Sequence, residues 1–241
     1  MILAAGFGTR LRPLTEKVPK PLLEVAGRPM IAYALELVAG AGIHEVVINL
    51  HYLGDQIRAL LGNGERYGVK IFYSVEPQLL DTGGGIAAAR EYLCGQPFVV
   101  VNADVYLEGD LRSLIDFHHR SSALTTLWVR PDPTGRRKDD VRVDADGRVR
   151  GILGHTPAPD LARRCQRYFY ASVMVCSPEI FEFLPSGIYS LTRDVLPHLL
   201  AENKPVFAKE HTGYWRVLDT HEDFEIGCRE IAARRAGLPP S

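Results

Sequence analysis

An α/β fold of three layers, with helices on both faces of a mixed and mostly parallel central sheet, is what this 241-residue sequence predicts. Apolar runs of strand length alternate with amphipathic runs of helix length through the first half, the rhythm that builds parallel sheets through right-handed crossovers. Residues 97–104, PFVVVNAD, form a continuous apolar run of the kind found in a strand covered on both faces. Hydrophobic residues make up 46% of the chain and charged residues 24%, the balance of a globular domain with its own core.

MILAA (residues 1–5) reads as the first strand, and a Gly-rich, basic stretch follows it over residues 6–20. Residues 29–40 place Ile31, Ala34, Leu35 and Val38 at helical spacing before Gly40 and Gly42 end the run. EVVINL (45–50) is a second strand, residues 54–61 a short helix with Ile57, Leu60 and Leu61 on one face, and VKIFYSV (69–75) a third strand by its alternation. A glycine run at 82–85 leads into a helix over IAAAREYL, and the strand 97–104 ends in Asp104.

Beyond residue 124 the signals change to shorter strands and turns: LTTLWV, DVRVDADGRVRGI with a turn at Asp146 and Gly147, and YFYASVMV. These add mixed sheet to the first half. Residues 178–184 and 191–202 read as helical, VFAKEH and GYWRVL as short strands, and 221–235 as a final helix capped near Thr220. One domain over 1–233 is expected, with a first half to about 120, a second half to 233 and a polar tail over 234–241.

Composition excludes several classes. Twenty-eight Lys and Arg against 29 Asp and Glu leave a formal charge of −1 and no field to hold nucleic acid. Cys94, Cys165, Cys176 and Cys228 contain no CxxC pair, which argues against a zinc site and a disulfide framework and for a reducing cytoplasm. No apolar run of about 18 residues is present, and MILAAGFGTR lacks the basic start and longer apolar core of a signal peptide, so neither export nor a membrane is expected. The expected state is a monomer or homodimer.

The strongest chemical signal follows the first strand. Gly6 and Gly8 let main-chain N–H groups converge on anionic oxygens, and Arg10 and Lys20 add a planar guanidinium and a compact ammonium, a fitting pair for a nucleoside triphosphate and its departing pyrophosphate. The stretch is neither GxxxxGK[ST] nor GxGxxG, and the second strand ends in Asn49 and His51 rather than an acid, so ATPase-type and NAD-binding readings rank behind. In EPQLLDTGGGI (76–86) the glycines bare a surface for a flat base or ribose at a helix N-terminus, or else serve as a hinge. Asp104, at the carboxyl end of a central strand, is placed to hold a magnesium ion that bridges phosphate oxygens, or to form a turn.

LAAGFGTRLRPLTEKVPKPL, residues 3–22, resembles the signature of the NTP-dependent sugar-1-phosphate nucleotidyltransferases, and the likeness continues through VVVNADV, IYSLTRDVLPHLL and GYWRVLDTHEDF. The TGGGI form resembles the branch that makes UDP-N-acetylmuramic acid from UTP, with guanylyl-transferring relatives close. The resemblance implies a Rossmann-like, glycosyltransferase-A-like fold and transfer of a nucleoside monophosphate from UTP or GTP to a sugar 1-phosphate. It implies that Leu3, Ala4, Ala5 and Gly6 line the nucleoside, with Gly8, Thr9, Glu76, Thr82, Gly83 and Gly84 completing the nucleotide site. Arg10 and Lys20 would contact phosphates, Asp104 would hold Mg2+, and Asn102, Ser172 and Asp194 would meet the sugar.

Two positions depart from that pattern. Val217 stands where the family carries a second metal-binding aspartate, which makes Asp219 the candidate replacement, and Ser172 stands where a glycine is usual near the sugar. They motivate a second reading, a catalytically weakened homologue that binds nucleotide for regulation. His118 and His119 read as an exposed helix end, residues 136–138 as a solvated basic loop, and Tyr168 and Tyr170 as core or cleft wall.

Overall fold

The structure, a computed structural model, describes residues 1–132 and 140–237; the basic stretch 136–138 lies outside the described residues. In chain order the strands are β1 (Ile2–Leu3), β2 (Glu24–Val25), β3 (Arg28–Pro29), β4 (Glu45–Leu50), β5 (Lys70–Val75), β6 (Phe98–Asn102), β7 (Val105–Leu107), β8 (Thr125–Pro131), β9 (Asp140–Val143), β10 (Val149–Ile152), β11 (Gln166–Cys176), β12 (Val206–Glu210) and β13 (Trp215–Val217). The α-helices are α1 (Met30–Gly40), α2 (Gly54–Leu61), α3 (Asp81–Ala88), α4 (Arg90–Leu93), α5 (Leu111–Arg120), α6 (Pro159–Ala162), α7 (Leu196–Ala201) and α8 (His221–Arg235). The α/β class read from the sequence holds.

The chain forms two compact units. The first comprises Ile2–Leu79, Asn102–Gly109 and the chain from Gly213 on. Here β1, β4 and β5 form a parallel ladder, with Leu3 opposite Asn49 and Leu50 opposite Val75. Every residue of β4 after Glu45 is buried, as a central strand requires. Helix α1 stops where Gly42 takes a φ of 83°, and the Ile43 N–H returns to the Val38 carbonyl at 3.0 Å, closing the last turn.

Leu11, Leu23, Val25, Met30, Tyr33, Tyr106, Leu218 and Ile231 make one core in this unit, with the Tyr33 and Tyr106 rings 4.8 Å apart. Burying each such aliphatic side chain contributes about 2 kcal/mol. The expected cap of α8 is present: the Thr220 hydroxyl accepts the Asp223 N–H at 3.1 Å. The helix runs to Arg235, and Arg234 grips Glu108 through Nη2 at 2.6 Å, so the polar end of the chain enters the folded unit for its first two residues.

The second unit comprises Met1, Leu80–Val101 and Asp110–Thr212. Its axis is β11, eleven residues long, which pairs antiparallel with β6, β8 and β9, while β12 runs parallel to β8. The β9–β10 connection turns at Asp144, whose Oδ1 accepts the N–H groups of Asp146 and Arg148, with Gly147 at a φ of 81°.

Two local expectations are corrected. The helix expected to start after Gly85 starts at Asp81, so the three glycines lie inside α3. His118, expected at an exposed helix end, is 2% exposed: Nδ1 lies 2.9 Å from the Thr126 hydroxyl and Nε2 3.0 Å from that of Ser177. Ser177 gives its own proton to the Ala123 carbonyl at 2.7 Å, which assigns the ring proton to Nε2. Burial above all, with His119 nearby, lowers the imidazole pKa to about 4.

Candidate active site

The loop after β1 is shaped from within the first unit. Gly8 sits at a φ of 63°, and a Cβ there would lie 2.9 Å from the Lys20 Cβ and 3.0 Å from Thr15 Cγ2, so this position needs glycine on both counts. The Thr15 hydroxyl donates to the Gly8 carbonyl at 2.9 Å, and the Leu11 N–H closes on the same oxygen at 3.0 Å. From the β4–α2 connection, Tyr52 donates to the Thr15 carbonyl at 3.0 Å, and the Phe7 ring rests against His51 and Tyr52. Short 3-10 turns at Thr9–Leu11, Leu14–Glu16 and Lys20–Leu22 carry the chain round.

Lys20 is 7% exposed, an unusual depth for an ammonium unless it is paired. It is paired twice, to Asp104 Oδ2 at 2.8 Å and Asp219 Oδ1 at 2.7 Å. The other oxygen of Asp219 meets Arg10 Nη2 at 2.5 Å. Strand register explains the meeting. Asp104 immediately precedes β7, which pairs antiparallel with β13, Val105 opposite Val217, and the Leu218 N–H bonds the Asp104 carbonyl at 2.9 Å. The residue after Leu218 therefore emerges beside Asp104, so that a carboxylate two positions beyond Val217 joins the cluster.

The fit of this cluster to a divalent cation rests on one atom. Asp104 Oδ1 is buried and has no hydrogen-bond partner among the described residues, an orphan anionic oxygen of the kind a cation satisfies. Among the described residues no group of three or more His, Cys, Asp and Glu is disposed to hold a metal. Two carboxylates suit Mg2+, which keeps several waters and takes phosphate oxygens for the remainder of its shell, far better than they suit Zn2+.

In the second unit the glycine run has another use than the one expected of it. A Cβ on Gly83 would overlap the Tyr189 ring, and one on Gly84 would overlap the Gly187 carbonyl, so both glycines serve close packing against the segment that precedes Leu191. The Gly83 and Gly84 N–H groups both go to the Tyr189 carbonyl, at 3.0 and 3.3 Å, and the Thr82 hydroxyl accepts the Leu191 N–H at 2.9 Å. Asp194 accepts the Ser190 N–H at 2.7 Å and so folds its own loop. Ser172 lies at the irregularity of β11 between Tyr170 and Met174, with a φ of 65°. That left-handed backbone is one a glycine would adopt without strain.

Of the residues singled out in the sequence, Arg10, Lys20, Asp104 and Asp219 come together directly. Gly8 packs against Lys20, Thr9 opens the first 3-10 turn, and Asn102 ends β6 two residues before Asp104. Leu3, Ala4, Ala5 and Gly6 lead from β1 into the loop, with Gly6 exposed and open space around it. Glu76 is 2% exposed just past β5, and Thr82, Gly83, Gly84, Ser172 and Asp194 belong to the second unit. Asn49, passed over as a site residue, joins Ala4 to Glu76. Its signal was an amide in an otherwise apolar strand, since a buried polar side chain needs partners.

The family model described as nucleotidyl transferase matches residues 1–231. N-acetylmuramate alpha-1-phosphate uridylyltransferase of Neisseria meningitidis serogroup B is 39% identical over 229 residues, 91% of this chain and 92% of that protein. Mannose-1-phosphate guanylyltransferase of Mycobacterium tuberculosis is 34% identical over the whole of this chain, which spans 66% of the relative's length. The crystal structure of HddC from Yersinia pseudotuberculosis superposes with a TM-score of 0.79 at 24% identity, over 95% of this chain and 97% of that one, and shares its fold. The chain belongs to the nucleotidyl transferase family.

Proposed function

We propose that the protein transfers a nucleoside monophosphate from UTP or GTP to a sugar 1-phosphate, giving an NDP-sugar and pyrophosphate. The observation that carries this reading is the Arg10–Asp219–Lys20–Asp104 cluster, two cations and two carboxylates held within direct contact. A phosphate oxygen of the sugar 1-phosphate attacks the α-phosphorus in line, the bond to the bridging oxygen breaks, and pyrophosphate leaves with the electron pair. Arg10, with its side chain 68% exposed, swings from Asp219 to the triphosphate at little cost, and Lys20 follows from within.

As the cations turn to phosphate, Asp104 and Asp219 are left as a carboxylate pair, the residues that would hold Mg2+. That ion, when bound, neutralises charge on the phosphate oxygens. Positioning and charge neutralisation do the catalysis, with no covalent enzyme intermediate. Asn102, at the end of β6 two residues before Asp104, is the proposed sugar contact beside the cluster. Four unpaired cysteines support a reducing compartment, the cytoplasm, and no described helix is long and apolar enough to cross a membrane. The reading as a weakened regulatory homologue drew on Val217 and Ser172; the transferase names of the matching relatives favour the active reading, and Asp219 beside Lys20 offers a carboxylate near the one absent at 217.

A pyrophosphate-release screen over UTP, GTP, dTTP and CTP with several sugar 1-phosphates tests the proposal. Turnover is expected with at least one pair, and Arg10→Ala is expected to lose about 100-fold or more of it with the fold intact. Unchanged turnover in Arg10→Ala, or none in the wild type with any pair, defeats the reading.

A further inference from the structure

The loop after β1 and the chain entering α8 meet at three successive points, all within the first unit. Arg10 pairs with Asp219. Leu11 and Leu218, both fully buried, belong to one core. One residue further along the loop, the carbonyl of Arg12 lies 2.7 Å from Nε2 of His221. A carbonyl can only accept, so Nε2 carries a proton and the imidazole is the donor. The donor is held from its own side. His221 opens α8, and the turn around it is closed by Thr220, whose hydroxyl accepts the Asp223 N–H at 3.1 Å and whose carbonyl accepts the Phe224 N–H at 2.9 Å. The two polar contacts differ in kind. Arg10 and Asp219 join side chain to side chain, and that pair parts when the guanidinium turns to phosphate. His221 grips main chain, so its bond uses no group that the triphosphate needs.

We infer that His221 is a positioning residue: it holds the backbone of the loop beside Asp219 while Arg10 exchanges that carboxylate for phosphate. The role rests on the reading of this loop as a cradle for the triphosphate. In the free protein the ion pair and the imidazole both tether residues 10–12, and the histidine is exposed, so water replaces its bond at little cost if it is removed. With nucleotide bound the ion pair is gone, and the imidazole and the buried Leu11 keep the loop in place. His221 therefore contributes to nucleotide affinity more than to the stability of the free fold. It supplies no group to the reacting atoms, so the rate at saturation is spared.

The test compares wild type, His221→Ala and His221→Gln in NTP binding by calorimetry and in steady-state kinetics with Mg2+. The alanine variant should bind the preferred NTP about fivefold more weakly, the effect of one hydrogen bond of about 1 kcal/mol, and its KM for that NTP should rise by the same factor. Its kcat and its KM for the sugar 1-phosphate should stay within about twofold, and the melting temperature of the free protein should change little. Glutamine carries an N–H donor at nearly the reach of Nε2, so His221→Gln should restore most of the affinity. A folded alanine variant that binds NTP as the wild type does overturns the inference. So does one whose affinity, kcat and free-protein melting temperature fall together without rescue by glutamine, since that marks a helix-end effect alone. Calorimetry needs no turnover: a wild type that binds NTP but releases no pyrophosphate defeats the transferase reading while the variants still decide this inference, and a wild type that binds none defeats both.

Discussion

Asp219 and Lys20 meet at 2.7 Å across 199 residues of sequence. The contact follows from the β7–β13 ladder, which sets Val217 opposite Val105 and sends the chain on past Asp104. The register thereby brings the Asp219 carboxylate to Lys20, which also holds Asp104. Asp219→Asn should lower kcat/KM by about 100-fold and weaken Mn2+ binding measured by electron paramagnetic resonance in the presence of NTP, with the melting temperature little changed. Wild-type Mn2+ affinity in that variant would remove Asp219 from the metal site.

Gly8→Ala tests whether the loop sets the position of Lys20. At a φ of 63°, alanine carries a left-handed penalty of about 1–2 kcal/mol, and its Cβ falls 2.9 Å from that of Lys20. The urea midpoint should drop accordingly, and pyrophosphate release should fall by more than the loss of folded protein explains. A variant with normal activity would show that the loop tolerates a displaced Lys20.

Ser172→Gly should stabilise the fold. Ser172 holds a φ of 65° within β11, and relief of that strain outweighs the extra freedom glycine brings to the unfolded chain, for a net gain of about 1 kcal/mol. A higher urea midpoint at unchanged m-value is the expected readout. A lower midpoint would mean that the serine side chain earns its place in packing.

His118 makes stability fall in mild acid. Its folded pKa, about 4, lies below the ordinary 6.5, so the unfolded chain takes up a proton first as pH drops. The contribution is complete above pH 6.5 and is lost as pH falls towards 4, with a slope of at most about 1.4 kcal/mol per pH unit. Denaturant midpoints at pH 7 and 5 should differ more for the wild type than for His118→Gln. Equal pH sensitivity in the two proteins would contradict the neutral buried imidazole.

Regular periodicity and caps made much of the fold legible: α1, α2, β4, β5 and the Thr220-capped α8 lie where apolar spacing and end signals put them. Long-range packing was not legible. The glycines at 83 and 84 read as a bare surface because their close neighbours, Tyr189 and Gly187, lie about a hundred residues on. His118 read as exposed, although Leu111, Leu114 and His118 fall on one buried stripe of α5, because the hydroxyls that satisfy its ring, those of Thr126 and Ser177, lie beyond the helix. Arg10, Lys20 and Asp104 were marked by their motifs and Asp219 by its place beside Val217, whereas the strand register that carries Asp219 to Lys20 is not expressed by spacing alone.

Lys20 makes the sharpest test, because it alone among the described residues touches both carboxylates. Pyrophosphate release should be followed with Mg2+, UTP or GTP and a panel of sugar 1-phosphates, for the wild type and for Lys20→Gln. The wild type should release pyrophosphate in step with NDP-sugar, and the variant, folded by circular dichroism, should be slower by about 100-fold or more. A folded Lys20→Gln protein that works at the wild-type rate would contradict the assignment of this cluster to the triphosphate.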